Sequence, residues 1–252
     1  MNLKEEACYW KEQIDLSKVW APGLLILAGI VLMISSTALF LELAEDVWEQ
    51  EKFTFDHVIM DYFESIESGT LTNILRLLTE TGSVWWITAA SMLTVLFLWL
   101  KKRDVLGVVF FILAIAGGGL FIFVLKYFFQ RERPTMAPEY DGNGYSFPSG
   151  HALGSFILYG FIIYLIGREK RFFKTRMLAI GLLSILVILV GVSRVYLQVH
   201  YPSDILAGYA VGLIWMICCI FSMEMMKVYR DKDKRANLTN LIYHRKRNRT
   251  VP

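Results

Sequence analysis

Six long runs of apolar residues, separated by short polar segments, form the main pattern along the chain. The runs cover residues 20–43, 83–100, 105–129, 151–167, 177–197 and 205–226. A helix needs about 20 mostly apolar residues to cross the hydrocarbon core of a bilayer, and all six runs come close to that length. The pattern therefore predicts an all-α fold, a polytopic membrane protein built as a bundle of six transmembrane helices.

A shorter pattern lies between the first two runs, in the polar segment 42–80. Apolar side chains recur there at helical spacing, first around Val58 and Tyr62 and then around Leu71 and Leu75. A spacing of three or four residues gives a helix one apolar face. We expect one or two amphipathic helices here, lying on the outer membrane surface and leading into the second span.

The composition also indicates a membrane protein. Hydrophobic residues make up 55% of the chain and charged residues only 19%, whereas water-soluble domains are less apolar and more charged. These values argue against an ordinary soluble enzyme and against a nucleic-acid-binding protein. Cys8, Cys218 and Cys219 have the spacing of neither a disulfide framework nor a zinc site.

The distribution of charge orients the spans. The segments 101–104, 168–176 and 227–252 carry 17 of the 26 Lys and Arg residues and fall on one side of a six-span bundle, whereas segment 42–80 holds ten acidic residues. Basic loops remain in the cytoplasm. The pattern therefore predicts a multi-pass protein of the plasma membrane with both termini in the cytoplasm and segment 42–80 outside.

This orientation divides the chain into two regions. We expect residues 1–229 to form the membrane domain and residues 230–252 to form a basic cytoplasmic tail. The tail is polar, so we expect it to be partly ordered at most and to contact anionic lipid.

Polar residues gather in three segments, and the orientation places all three at the outer face. The segments are 126–134, 147–151 and 193–204. Because polar side chains next to a membrane span are costly, such a gathering is a candidate site. Together the segments supply three cations, two histidines and one carboxylate, namely Lys126, Arg133, Arg194, His151, His200 and Asp204.

This set of side chains suits a phosphate group. Three cations, the Ser149 hydroxyl and the backbone N–H of Gly150 at a helix start can hold a tetrahedral dianion. The sequence contains no cluster of carboxylates that would hold magnesium or calcium, so we expect no metal and no cofactor. Arg and Lys would instead neutralise the charge that builds on the phosphoryl oxygens.

The two histidines can divide the chemistry between them. One attacks phosphorus as a neutral imidazole, and the other donates a proton to the leaving oxygen. A carboxylate should hold the other ring nitrogen of the nucleophile, and Asp204 follows His200 by four residues. We therefore assign His200 as the nucleophile and His151 as the acid. Pro202 favours the first position of a helix, so the pairing of His200 with Asp204 depends on loop geometry.

Other polar residues near these segments have simpler interpretations. Arg131 and Glu132 could tune substrate access, although a solvated local pair is the favoured interpretation. Glu139 and Asp141 could meet a lipid headgroup, although the polarity of a surface loop explains them equally well.

The three segments resemble the signature of the type-2 phosphatidic acid phosphatase family, which reads K-x6-RP, PSGH and SR-x5-H-x3-D. Every spacing is intact, and the resemblance covers about residues 55–226. The matching residues are Lys126, Arg133 and Pro134, then Pro148, Ser149, Gly150 and His151, and finally Ser193, Arg194, His200 and Asp204.

The resemblance implies a metal-independent hydrolase that removes the terminal phosphate of lipid phosphates or diphosphates. It implies a phosphohistidine on His200 and acid catalysis by His151. It also implies phosphate binding by Lys126, Arg133, Ser149, Gly150 and Arg194. Among membrane members, the chain looks most like bacterial phosphatidylglycerophosphatase B and undecaprenyl diphosphate phosphatases. Undecaprenyl diphosphate is then the first expected substrate, followed by phosphatidylglycerophosphate and phosphatidic acid.

Two alternatives remain open. A phosphotransferase would pass the phosphate from the same phosphohistidine to another lipid. A transporter or structural protein could keep the six-helix scaffold without catalysis. A transporter is expected to place polar residues near the middle of the membrane, whereas the charged residues here lie at the ends of the spans.

Overall fold

The computed structural model describes residues 16–51, 53–135, 140, 143–168 and 172–247, and within the first and last helices it describes side chains only from 23 to 231. These residues form helices and connecting segments, with no strand among them. The helices are α1 (Leu16–Trp48), α2 (Thr54–Ser65), α3 (Gly69–Thr79), α4 (Val84–Leu96), α5 (Val105–Phe129), α6 (Gly150–Gly167), α7 (Phe173–Tyr196) and α8 (Pro202–Arg247).

Six of these helices are long and apolar enough to cross a membrane. They are α1, α4 together with the π-helical turn Phe97–Lys102 that extends it, and α5 to α8. The prediction of an all-α, six-span bundle is confirmed.

Short polar side chains explain where several helices begin. The side chains of Ser83, Asp104 and Ser149 accept hydrogen bonds from backbone N–H groups in the first turns of α4, α5 and α6. Such caps satisfy donors that have no partner inside the helix. Helix α8 begins at Pro202, as predicted, so His200 lies in the loop before it.

Helix α6 lies at the centre of the bundle and contacts α4, α5, α7 and α8. Its Leu153, Ile157 and Phe161 side chains are buried. Helix α8 approaches α6 so closely that a Cβ atom on Gly208 would lie 2.9 Å from the Ser149 carbonyl oxygen. Only a glycine at this position lets the first turns of the two helices meet, and these turns carry the candidate site residues.

Helix α1 is longer than the apolar run that predicted it. It continues past Leu43 to Trp48. The added turn is stabilised by packing, because Leu43 and Val47 are buried in a cluster with Phe147 and Ala207.

The segment between the first two spans forms two helices, α2 and α3, as predicted. Met60 of α2 and Leu75 of α3 are buried, whereas Val58 and Tyr62, on the predicted apolar face of α2, are exposed. Both helices pack on α7, and α2 also packs on α8. The backbone N–H of Ser68 donates to the Tyr196 hydroxyl at 3.1 Å, which ties the start of α3 to the end of α7.

Two other expectations concern the less apolar parts of the chain. The tail, expected to be partly ordered at most, continues α8 as a helix to Arg247. The boundary at residue 230 between membrane domain and tail remains a prediction. Glu139 and Asp141 lie outside the described residues.

Candidate active site

The predicted site residues meet at one end of the bundle, which we call the histidine end. Lys126 lies in the last turn of α5, and this helix stops where Gln130 adopts a left-handed conformation with φ of 48°. The chain then runs on without regular structure through Arg133. A left-handed residue at a helix end redirects the backbone, which brings Arg133 back towards the loop that contains His200.

The start of α6 is attached to the start of α8. The backbone N–H of Ser149 donates to the Asp204 carbonyl oxygen at 3.0 Å. His151 follows in the first turn of α6 and is buried. Gly82 packs against it so closely that a Cβ atom there would lie 3.2 Å from the imidazole ring. The position of His151 is therefore defined by three segments of the chain.

His200 and Asp204 form a hydrogen-bonded pair. The His200 Nδ1 atom lies 3.1 Å from Asp204 Oδ2, so the loop geometry does make the pairing that sequence spacing alone left open. The same carboxylate oxygen accepts the backbone N–H of Tyr201 at 2.9 Å and the Ser146 hydroxyl. Both carboxylate and imidazole are almost fully buried.

Burial lowers the pKa of His200 to about 3, although the Asp204 carboxylate opposes the shift. Arg133 and Arg194 lower it further because their charges repel the imidazolium. The ring is therefore neutral at physiological pH. With its proton on Nδ1 facing Asp204, it keeps a lone pair on Nε2.

Arg133 lies next to that lone pair. Its Nη1 atom is 3.1 Å from His200 Nε2 and donates to the Val199 carbonyl oxygen at 2.7 Å. The Nε and Nη2 atoms donate to the carbonyl oxygens of Gly144 and Asn143. These bonds fix the plane of the guanidinium, so an anionic oxygen bound by Arg133 would lie beside Nε2.

Lys126 and Arg194 supply the other two cations. The Lys126 Nζ donates to the Tyr145 carbonyl oxygen. Arg194 is fully buried and donates to Thr79 Oγ1 at 3.3 Å. Two extramembrane elements, the end of α3 and the segment before α6, therefore help to place these charges.

A cavity of about 430 Å³ joins most of these groups. Its polar part is lined by Lys126, Arg133, Asn143, Gly150, His151 and His200. Ser149, Arg194 and Asp204 are buried and are not among its lining residues. The Ser149 hydroxyl instead accepts the Ala152 N–H at 3.4 Å. Among the described residues, no three His, Cys, Asp or Glu side chains are placed to share a metal ion.

The structure corrects the interpretation of Arg131 as a solvated partner of Glu132. Its side chain is only 15% exposed and forms ion pairs with Asp204 and Asp56 at 2.7 and 3.0 Å. Spacing along the sequence does indicate where Asp56 lies, because it precedes Met60 by four residues and so shares its face of α2. Both side chains are buried. No local pattern pairs Arg131 with a residue 75 positions away.

A neutral imidazole nitrogen, fixed cations and a second histidine on one cavity suit nucleophilic attack on a phosphoryl group. Comparison with known proteins points the same way. A sequence model described as the PAP2 superfamily matches residues 107–227. The chain is 34% identical over 110 residues to phosphatidylglycerophosphatase B of Bacillus subtilis, covering 43% of this chain and 54% of that protein.

Two further relatives extend the match. The chain is 31% identical to undecaprenyl-diphosphatase of Sulfolobus acidocaldarius, over 57% of this chain and 66% of that protein. The crystal structure of a transmembrane PAP2-type phosphatidylglycerolphosphate phosphatase from Bacillus subtilis superposes with a TM-score of 0.67 at 26% identity, covering 77% of this chain and 96% of that one. The alignment with the first relative spans about half of that protein's length.

Proposed function

We propose that this chain, which the PAP2 superfamily model matches over residues 107–227, is an integral-membrane phosphatase that removes the terminal phosphate from a lipid phosphate or diphosphate. The observation that carries the proposal is the position of His200. Its ring lines the polar part of a cavity whose remaining walls are largely apolar and formed by membrane-spanning helices.

The apolar part of the cavity supports a lipid substrate. Helices α4 and α5 flank it with Ile87 and Ile115, and α6 contributes Leu153. The wall is open at Gly119, where a Cβ atom would meet nothing within 4 Å. A hydrocarbon chain could therefore lie between α4 and α5 while its headgroup reaches the histidines, and burial of apolar chain surface would favour binding.

The proposed reaction begins with attack by His200. Its Nε2 forms a bond to phosphorus as the bond from phosphorus to the leaving oxygen breaks, and His151 gives that oxygen a proton. Asp204 stabilises the imidazolium that forms on His200. Water then attacks the phosphohistidine, His151 takes a proton back, the N–P bond breaks, and inorganic phosphate is released.

Cations would stabilise the charge on the phosphoryl oxygens during both steps. Arg133 and Lys126 line the cavity with the Gly150 backbone at the N-terminus of α6, where N–H groups favour an anion. Arg194 contributes its charge from a buried position. Ser149 is assigned to phosphate binding from the family signature alone, since its hydroxyl caps α6.

The names of the relatives support two substrates, undecaprenyl diphosphate and phosphatidylglycerophosphate. We place undecaprenyl diphosphate first, since its headgroup must be dephosphorylated on the outer face of the plasma membrane. The outward orientation of the site is part of the proposal. It is supported by charge, because Lys102, Arg168 and Lys227 lie together at the end opposite the histidines and basic segments favour the cytoplasm.

Phosphate release from undecaprenyl diphosphate, phosphatidylglycerophosphate and phosphatidic acid tests the activity. Detergent-purified protein should release phosphate from at least one of them in excess EDTA, and the ranking of rates would identify the substrate. Failure with all three would contradict the hydrolase. Radioactive phosphate found on an added acceptor lipid, without phosphate release, would identify a phosphotransferase.

A Gly119→Leu variant tests the lipid groove directly. Leucine at this position should fill the gap between α4 and α5 and lower kcat/KM for the lipid at least about tenfold. It should barely change turnover of p-nitrophenyl phosphate, which has no lipid chain. Gly181→Leu is the matched control, because a Cβ atom there also meets nothing within 4 Å. Equal losses on both substrates would contradict the groove.

A further inference from the structure

A partly buried arginine, Arg131, links the proposed nucleophile to the extramembrane helix α2. Arg131 Nη1 donates to Asp204 Oδ1 and to Ser203 Oγ, each at 2.7 Å. Its Nη2 donates to Asp56 Oδ2 at 3.0 Å. A planar guanidinium presents several donors in a rigid fork, so one side chain holds two carboxylates that come from α2 and α8.

Asp56 in turn holds the start of α8. It is 1% exposed, and its Oδ1 accepts the backbone N–H of Ser203 at 2.8 Å while its Oδ2 accepts the Ser203 hydroxyl at 2.5 Å. Ser203 is the second residue of α8, where backbone N–H groups have no partner inside the helix. A carboxylate is also favourable at a helix N-terminus. Helix α2 thereby caps the turn that carries Asp204.

Two aromatic rings restrain the same guanidinium. The Arg131 Cζ atom lies 4.0 Å from the centre of the Tyr201 ring and 5.4 Å from that of Phe53. Cation–π contacts of this kind stabilise a partly desolvated arginine. Tyr201 immediately follows His200, so the restraint acts next to the proposed nucleophile.

Arg131 binds the Asp204 oxygen that His200 does not use. Asp204 Oδ2 faces the imidazole, and Oδ1 faces Arg131. Asp204 and Asp56 are both buried carboxylates, and Arg131 compensates one of their two negative charges. The remaining charge is available to balance the imidazolium that forms on His200 during phosphoryl transfer. Without Arg131, the second buried carboxylate would be uncompensated, which is strongly unfavourable.

We propose that Arg131 and Asp56 are positioning residues for phosphoryl transfer to His200. The inference rests on the proposed function. Together they hold Asp204 so that it keeps the His200 Nδ1–H, with Nε2 facing the cavity, while the N–P bond forms and the bond to the leaving oxygen breaks. Helix α2 is then part of the apparatus that orients the nucleophile.

Rapid mixing with ³²P-labelled lipid, quenched in alkali to preserve phosphohistidine, tests this role. Asp56→Asn and Arg131→Gln should lower the rate constant of phosphoenzyme formation about 10–100-fold and leave the lipid concentration that half-saturates this rate constant close to wild type. Two variants serve as matched controls, because each removes an exposed carboxylate close to a tested residue. Asp61→Asn lies in α2 with Asp56, and Glu132→Gln is next to Arg131. The double variant should lose little more than the worse single variant, because the two residues act as a unit.

The amplitude separates positioning from mere stability. It counts competent sites, so a lower amplitude with an unchanged rate constant would assign the pair a structural role and overturn the inference. Rate constants equal to those of the controls would do the same. If Arg131→Gln does not fold, the nearly isosteric Asp56→Asn variant distinguishes positioning from a structural role. A wild-type protein that forms no phosphoenzyme would instead refute the proposed function, and the inference with it.

Discussion

Both ends of the bundle gather charged side chains around a cavity, and the cavity opposite the histidines is the larger, about 950 Å³ against about 430 Å³. At that opposite end, Lys227 lies 3.4 Å from Asp104 and 3.6 Å from Glu224. Arg168 pairs with Glu224 at 3.3 Å, and both side chains are 44% exposed. Exposed ion pairs are screened by solvent and contribute at most about 1 kcal/mol each.

The histidine end differs in burial and orientation. His200 and Asp204 are almost fully buried, and Arg133 is fixed by three carbonyl oxygens. Burial is what keeps the pKa of His200 low enough for a neutral nucleophile. Neither the volume of a cavity nor the number of charges around it therefore distinguishes the proposed reactive end. The relevant feature is a polar group held in one orientation and shielded from water.

The largest expected effect comes from removing the proposed nucleophile. His200→Ala should abolish turnover, because no group remains to accept the phosphoryl group. Lys227→Ala, at the opposite end, should keep kcat within about twofold of wild type, since Lys227 lines the other cavity, away from both histidines. Phosphate-release assays on folded, detergent-purified variants would check both. A His200→Ala protein with near wild-type turnover would exclude the assignment.

The next effect concerns the proposed acid. His151→Gln should slow turnover of lipid phosphates about 10²–10⁴-fold, the usual range for a lost general acid. The loss should be smaller for p-nitrophenyl phosphate, whose leaving group needs no proton. Comparison of kcat on the two substrates measures the difference. Equal losses on both would argue against proton donation by His151.

A smaller loss is expected when the carboxylate that orients His200 is neutralised. Asp204→Asn should lower kcat about 10²-fold, because the imidazole loses its fixed orientation, and should leave KM largely unchanged. Glu224→Gln makes the same chemical change at the opposite end and should alter neither constant. Steady-state kinetics on the two variants provides the test. An unchanged kcat for Asp204→Asn would mean that another group orients His200.

The smallest expected effect is on how the stability of the folded protein depends on pH. The folded-state pKa of His200 is about 3, below its ordinary value of about 6.5. As the pH falls below 6.5, the unfolded chain takes up a proton that the folded chain does not, so the contribution of neutral His200 to stability is lost from pH 6.5 towards 3. Tm in detergent should therefore fall less steeply over this window in His200→Asn than in wild type. Parallel curves would contradict the low pKa.

Local patterns were sufficient to predict much of this molecule. The spans follow from runs of apolar residues, and α2 and α3 follow from helical spacing within segment 42–80, because both depend on neighbours a few residues apart. The start of α8 follows from Pro202. The extension of α1 to Trp48 could not be predicted in this way, because it depends on packing against Phe147 and Ala207.

The histidines illustrate the same division. The signature spacing identified His151, His200 and Asp204 as candidates, since the family pattern is written in residue types and intervals. Whether His200 contacts Asp204 depended on the loop before Pro202, which spacing leaves undefined. The 3.1 Å contact is a property of that loop in its folded environment.

The amino-acid sequence was enough to establish the class of the fold, the six spans, the resemblance to a phosphatase family and the residue types at the candidate site. These features depend on local composition and on intervals along the chain. The packing of the folded chain was needed to show that Arg131 joins Asp56 to Asp204, and that both histidines line the smaller of the two cavities. Contacts between residues far apart in sequence are set by how helices pack, and packing depends on the whole chain at once.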